Sequence, residues 1–347
     1  MYKALIDKLE RENTLSKSEF LTLIKNRDKC RDYITQRAFA VRNSVYGNKV
    51  FIRGLIEISN YCKNDCYYCG IRRSNTNIKR YRLNSDEILS CADEGYELGF
   101  RTFVLQGGED GYYTDELLCD VIRKIKDKYP DCAVTLSLGE RSYKSYKALK
   151  DAGADRYLLR HETVNMEHYA KLHPGDMSYF NRLGCVNDLK LLGYQVGVGF
   201  MVGSPYQTLE DLADEMLFLM QIKPQMVGIG PFISHKDTPF KDFESGSAEL
   251  TTFMLSLIRL TLPNVLLPAT TALGTIDFDG REKGILAGAN VLMPNLSPSF
   301  AKKNYTLYDN KICTGDEAAA CIECLKQRIK KTGCEITVDR GDYKNEI

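Results

Sequence analysis

Three cysteines fall within eight residues of the stretch SNYCKNDCYYCGIRR (59–73): Cys62, Cys66 and Cys69, spaced C-x3-C-x2-C. Thiolates in such a loop suit zinc or an iron–sulfur cluster. A structural zinc ion needs a fourth protein ligand. The four histidines, His161, His168, His173 and His235, all lie outside the loop, so such a ligand has to fold in from a distance. A [4Fe–4S] cube bound by three cysteines instead leaves one iron open to an exogenous ligand. A second group, CTGDEAAACIEC, places Cys313, Cys321 and Cys324 at C-x7-C-x2-C. Its last two thiols stand about one turn apart on a run of helical character. They are either accessory metal ligands or plain neighbours on a helix. The six cysteines scattered singly read as small buried hydrophobes.

A loop of ligands needs elements to hold it, and the chain supplies a regular series of them. Short β-rich apolar runs recur at 50–59, 101–108, 132–140, 155–163, 194–203, 225–232, 264–271 and 289–295. Helical segments separate them, with start signals such as Asn84 or Ser85 before acidic residues and Thr208 three residues before Asp211. Eight strands alternating with helices over roughly 250 residues predict an α/β fold, a (β/α)8 TIM-type barrel. Residues 1–48 read as an N-terminal helical extension, 49–299 as the barrel, and 300–347 as a C-terminal segment closing one end.

Alternate strand residues face opposite ways. In the first strand Ile52, Gly54, Ile56 and Ile58 form an outward apolar face, which turns Arg53, Leu55 and Glu57 inward. The same parity places Thr135 and Ser137 inside on strand three, Gly197, Gly199 and Met201 on strand five, and Gly228 and Gly230 on strand six. Barrel interiors are usually filled by bulky branched residues, whereas this one is polar or empty. A buried Arg53 and Glu57 have to meet each other, water or a ligand. An internal salt bridge with glycine bulges is one solution; a hollow interior holding a small charged substrate is the one preferred here.

Bulk properties exclude several classes. With 47 Lys and Arg against 46 Asp and Glu, net +1, the chain lacks the excess cation of a general polyanion binder. The charged opening MYKALIDKLERENTLSKSEF has no secretory apolar core, and no apolar run is long enough to span a bilayer. A cytoplasmic location follows as an expectation, and there twelve cysteines point to metal or chemistry rather than disulfides.

C-x3-C-x2-C with an aromatic, Tyr68, before the last cysteine, following the first strand of a barrel, resembles the signature of the radical S-adenosylmethionine (SAM) enzymes. That resemblance implies a [4Fe–4S] cluster on Cys62, Cys66 and Cys69, whose open iron takes the amino and carboxylate groups of SAM. Reductive cleavage then gives a 5′-deoxyadenosyl radical, the electron coming from an external donor. QGGED after strand two looks like the superfamily's Gly-Gly-Glu turn, Gly107, Gly108 and Glu109. Glu162 at the end of strand four corresponds to a ribose contact, and Arg182 to a partner of the methionine carboxylate. VGIGPF, with Ile229, resembles the adenine-side strand, and Tyr68, Ser137 and Met201 complete the implied cofactor set.

The resemblance narrows further. TLSLGE (135–140), RYLLRHET (156–163), GIGPFISHKDTP (228–239), LPATTALGTI (267–276) and GREKGILAGANVLMPN (280–295) resemble the HydE family of [FeFe]-hydrogenase maturases from about residue 45 to 330. Methylornithine synthase and biotin synthase are relatives; LRHET and the terminal cysteine trio favour HydE over the former. The implied role is in building the two-iron subcluster. The implied substrate is a small iron–cysteine complex carrying CO and cyanide, supplied by HydG, with the product passing toward the scaffold HydF. Arg53, Thr135, Ser137, Arg160, Thr270, Thr271 and Tyr305 would grip its anionic groups. Cys313, Cys321 and Cys324 would hold an accessory [2Fe–2S] or [4Fe–4S] cluster. The alternatives are a radical SAM mutase or sulfur-inserting enzyme acting on an amino acid, and a non-enzymatic electron carrier or zinc-stabilised binding protein.

Overall fold

The computed structural model describes residues 1–312 and 318–344, the side chains of 318–321 excepted. The first strand runs Lys49–Ile52 and Gly54–Ser59, interrupted at Arg53. Thr102–Gly107, Ala133–Ser137, Arg156–Leu158, Gln195–Val198 and Met226–Val227 follow in order, each parallel to its neighbour. The ring closes through bridges from Met226 to Leu266 and from Pro268 to Val291, and Val291–Leu292 pairs back to Phe51 and Ile52. The architecture is the (β/α)8 barrel expected from the strand count. At the C-terminal mouth Met201–Val202 and Gly230–Pro231 prolong strands five and six as a separate pair.

The predicted parity explains the core. Ile56, Ile58, Val134, Leu136, Val196, Val198 and Val227 point outward into one continuous apolar cluster with the helical residues Ile88, Leu118, Ile122, Leu189 and Leu212. Each fully buried branched side chain contributes roughly 1.5–3 kcal/mol. Helix starts follow local chemistry. Asn84 and Glu87 form a capping box on Ser85–Glu97, and Thr208 and Asp211 form another on Leu209–Ile222. The seventh run, expected over 264–271, contributes only isolated bridges at Leu266 and Pro268. Pro268 has no N–H for a ladder, and Thr270 turns away to accept a bond from Leu273 N as the cap of Thr271–Ile276.

The first three helices, Tyr2–Glu12, Lys17–Lys25 and Arg31–Tyr46, lie outside the ring; the second packs on Leu209–Ile222 and the third on Ala248–Thr261. The C-terminal segment serves both ends of the barrel. Glu335–Thr337 adds a parallel strand beside Lys49–Phe51, and residues 340–342 seal the floor against Arg156. Earlier, residues 304–312 cross the mouth. Gly70 N donates to Leu307 O, Asp309 N to Ser234 O, and Ile312 N to Thr275 Oγ1. Among the described residues no helix is long and apolar enough to cross a membrane.

Candidate active site

The cysteine loop leaves strand one at Asn60 and returns at Tyr81, and its shape is set by backbone capture. Arg80 donates to the carbonyls of Asn60, Ile71, Arg72 and Asn75, and Asp65 takes Arg72 and Ser74. The loop is docked at three points, Lys63 N to Glu109 O, Tyr67 N to Leu172 O and Gly70 N to Leu307 O. A side chain at Gly70 would come within 2.1 Å of Thr306 O, so only glycine allows that crossing.

Cys62, Cys66 and Cys69 are partly buried at the mouth. Burial, then repulsion from the neighbouring thiols, pushes Cys66 well up and Cys69 up to about 12. Thiolates here therefore call for a strongly cationic partner. Among the described residues no three Cys, His or acidic side chains gather tightly enough to share one metal ion.

The Gly-Gly-Glu turn packs directly on this loop. A Cβ on Gly108 would meet Tyr61 O at 2.1 Å and Cys62 Cβ at 2.7 Å, so this glycine is required by the loop itself. The Glu109 side chain lies over Gly139, which has φ +73° and no room for a Cβ. Glu140 N donates to Glu109 Oε1 at 2.9 Å, and Lys63 Nζ stands 3.1 Å from Oε2. Arg182 lies 2.7 Å from Glu140 and 3.7 Å from Glu109. Burial opposes its charge, but Glu140 and Glu109 outweigh that and hold the guanidinium charged. Tyr68 meets His173 edge-on, its hydroxyl 3.3 Å from Nε2. Met201 joins Leu172, Phe232 and Phe240 in an apolar patch against Tyr67 and Tyr68. Ile229 belongs to the main apolar core, so toward the mouth it offers backbone.

Inside the ring, buried polar groups lack hydrogen-bond partners. Arg53 has Nη1 3.0 Å from Met226 Sδ, while Nε and Nη2 bond to nothing. Burial, then the Arg156 charge, drives its pKa well below the usual guanidinium value. Thr135 Oγ1 and Arg160 Nε are likewise unbonded, as is Glu162 Oε2, while Glu109 Oε2 meets only the exposed Lys63. Arg160 Nη2 and Glu162 Oε2 stand 3.3 Å apart without aligning. Ser137 ends strand three beside Gln106, whose amide donates to the buried Tyr305 hydroxyl at 3.4 Å. Thr270 Oγ1 lies at its helix cap, close to Gly230, and Thr271 begins that helix.

Glu57 does not pair with Arg53, the internal salt bridge weighed as the alternative to a hollow interior. Its carboxylate takes Lys311 at 2.5 Å and Asn295 at 2.8 Å. Lys311 arrives on the mouth-crossing segment, a contact 254 residues distant in sequence that strand parity had no means to reveal. Glu140 and the His161–Glu215 pair were also missed; Glu140 closes TLSLGE, and His161 precedes Glu162 in RHET. Of the second cysteine group, Cys313 and the side chain of Cys321 lie outside the described residues, and Cys324 is exposed on Ala318–Lys330.

These features fit the cofactors the loop implies: three thiols requiring a cation, a buried Glu162 carboxylate with an unbonded oxygen, and a backbone cradle that a Cβ would fill. Comparison with known proteins agrees. Residues 56–219 match the Radical SAM superfamily. The chain is 44% identical over 342 residues to the [FeFe] hydrogenase maturase subunit HydE of Thermotoga maritima, covering 99% of this chain and 97% of that one. It is 28% identical to the 3-methylornithine synthase of Methanosarcina acetivorans, over 85% of this chain and 82% of the other. The crystal structure of methylornithine synthase superposes with a TM-score of 0.83 at 25% identity, over 96% and 97% of the two chains. A polar-lined barrel beneath a three-cysteine loop, on a sequence this similar to HydE, places the chain in the radical SAM superfamily and in its family of [FeFe] hydrogenase maturases.

Proposed function

We propose that this radical SAM maturase acts on a small iron–cysteine complex bearing CO and cyanide, bound inside the barrel, to make a precursor of the two-iron subcluster. The observation that carries this reading is the set of unbonded donors on Arg53, Arg160 and Thr135. An uncompensated guanidinium in a dry interior is costly, and an anionic ligand with several acceptor atoms relieves that cost through charge-assisted bonds.

When bound on Cys62, Cys66 and Cys69, the [4Fe–4S] cluster with SAM supplies a 5′-deoxyadenosyl radical. The chain's own residues bind and orient. Glu109, fixed over Gly139 by Glu140 N, presents Oε2 to the methionine amine. Arg182, kept charged by two carboxylates, faces the methionine carboxylate, and Glu162 takes the ribose hydroxyls. Met201, Tyr68 and the backbone of Ile229 shield the adenosyl group. Beneath it Arg53, Arg160, Thr135 and Ser137 hold the substrate's anionic groups, with Thr270, Thr271 and Tyr305 completing the wall. The segment 304–312 across the mouth excludes water and oxygen from the reacting centre.

In this reading the substrate arrives from HydG and the product leaves toward HydF, with an external protein supplying electrons. The ten described cysteines are all free thiols, which suits a reducing cytoplasm. Cys313, Cys321 and Cys324 would hold the accessory cluster. The test is anaerobic incubation of the reconstituted protein with SAM, dithionite and a synthetic iron–cysteine dicarbonyl cyanide complex. Substrate-dependent 5′-deoxyadenosine, with consumption of the complex, is expected. Equal 5′-deoxyadenosine with and without the complex, and full activity on an amino acid such as lysine, would transfer the assignment to the mutase reading.

A further inference from the structure

Glu162 adopts a conformation that needs a cause. Its φ is +68°, a left-handed backbone that costs a side-chain-bearing residue roughly 1 kcal/mol or more. Such a residue persists only where its surroundings over-determine it. Here the chain on either side is tied to one side chain, through the His161 imidazole and the Val164 N–H. Glu215, on the helix Leu209–Ile222, places Oε2 2.6 Å from His161 Nε2 and accepts Val164 N on Oε1 at 2.8 Å. One carboxylate thus grips the residue before Glu162 and the second residue after it. His161 and Glu215 are both fully buried. On its other edge His161 accepts Gly199 N at Nδ1, 3.3 Å away, and Glu162 N donates to Gly199 O at 3.0 Å.

The bonding fixes the histidine tautomer. Because Nδ1 accepts from a backbone N–H, Nε2 carries the hydrogen and donates to the Glu215 carboxylate. The ring is packed against Phe200 and Phe218, so it has no alternative orientation without losing both contacts. One turn earlier on the same helix Asp211 accepts from Asn165 Nδ2 at 2.7 Å, tying down the next residue of the loop. The stretch 161–165 is therefore pinned to one helix at successive points, and the residue left facing the mouth is Glu162. Its carboxylate reaches toward Arg160, 3.3 Å away.

We propose that Glu215, acting through His161 and Val164, is a positioning residue that locks Glu162 in its left-handed conformation and so aims its carboxylate at the adenosyl ribose of SAM. This rests on the reading of Glu162 as the ribose contact. Glu215 is fully buried on its helix, and its role is to hold the buried Glu162 at the end of strand four in one conformation. Glutamine cannot replace it. With its oxygen on Val164 N, its amide hydrogens confront the His161 Nε2–H; flipped, they confront the Val164 N–H. Either orientation loses one bond.

The test compares binding of SAM with 2′-deoxy- and 3′-deoxy-SAM to the anaerobically reconstituted protein. A carboxylate hydrogen-bonded to the ribose is expected to make the wild type prefer SAM by about tenfold or more. Glu162→Gln should shrink that preference to within about twofold to threefold. Glu215→Gln should do the same while leaving affinity for the deoxy analogues near that of the wild type. Leu219→Ala, a buried apolar change on the same helix, lowers stability without touching the clamp and should keep the full preference. If Glu215→Gln does not accumulate folded, His161→Phe combined with Glu215→Gln removes the imidazole, keeps an acceptor for Val164 N and carries the same expectation. A full ribose preference in the Glu215 variants, with loss in Glu162→Gln, would overturn the positioning role alone. No loss in Glu162→Gln would overturn the ribose reading itself, and the inference with it. Equal weakening for SAM and its analogues in Glu215→Gln would mark Glu215 as structural only.

Discussion

The floor and the interior of the barrel use the same residue type in opposite ways. At the floor Arg156 is fully buried, and its guanidinium is spent on Gln195, Thr102, the Arg340 and Gly341 carbonyls and the Asp342 carboxylate. Arg53, close enough to feel the Arg156 charge, is nearly as buried yet bonds only a thioether, and Arg160 faces a single misaligned carboxylate. Burial alone does not distinguish Arg156 from Arg53. What separates them is whether the chain supplies the acceptors. A satisfied guanidinium holds the C-terminal tail in place; an unsatisfied one carries a stability cost, which the proposed anionic substrate would relieve.

The most drastic way to break this contrast is to remove the chemistry at the mouth. Cys66→Ala should abolish SAM cleavage, scored as 5′-deoxyadenosine under reducing anaerobic conditions, while the barrel keeps its circular dichroism. Next, if Arg160 holds the proposed iron–cysteine substrate, Arg160→Ala should eliminate its turnover and leave SAM affinity within about threefold. An equal loss of both would move Arg160 into the cofactor site. The contrast itself is tested by Arg156→Met and Arg53→Met measured side by side. The floor variant strands several buried acceptors and should lose about 2–4 kcal/mol by denaturant titration. The interior variant removes an uncompensated cation, so it should be neutral or more stable, but inactive. If both destabilise equally, the comparison fails.

Acid distinguishes the two ends more gently. All four histidines lie beyond the C-terminal ends of strands four to six, and burial pushes His173 down from 6.5 to about 3. The unfolded chain therefore binds a proton that the folded one refuses. Stability contributed by neutral His173 is complete above pH about 6.5 and declines as pH falls toward 3. His173→Phe should flatten the slope of melting temperature against pH in that window, with hydrogen exchange at the mouth changing before that at the floor. The smallest effect is expected from Cys324→Ala, which should lower the iron content while leaving SAM cleavage within about twofold, in keeping with an accessory cluster.

Much of the site was legible beforehand because its signals are local. C-x3-C-x2-C, the GGE turn and the alternation of apolar residues each span fewer than a dozen positions, and they sufficed to predict a barrel with its ligands at the mouth. Inward Thr135 and Arg53 followed from period-two patterning. The partners did not. Lys311 reaches Glu57 only because the C-terminal segment folds back across the mouth, and Asp342 meets Arg156 only because the tail turns beneath the floor. Gly139 carried a readable signal beside Glu140, yet its purpose, space for the Glu109 side chain, depends on two strands lying side by side.

From sequence alone the chain determined its architecture, its cofactor loop and the polarity of its interior, since spacing and parity act through neighbouring bonds. The tertiary structure decided which buried charges are answered and which are left open, and which residue bends Glu162 toward the mouth. Those depend on pairings between residues dozens to hundreds of positions apart, where no periodicity operates and only the closed ring brings acceptor to donor.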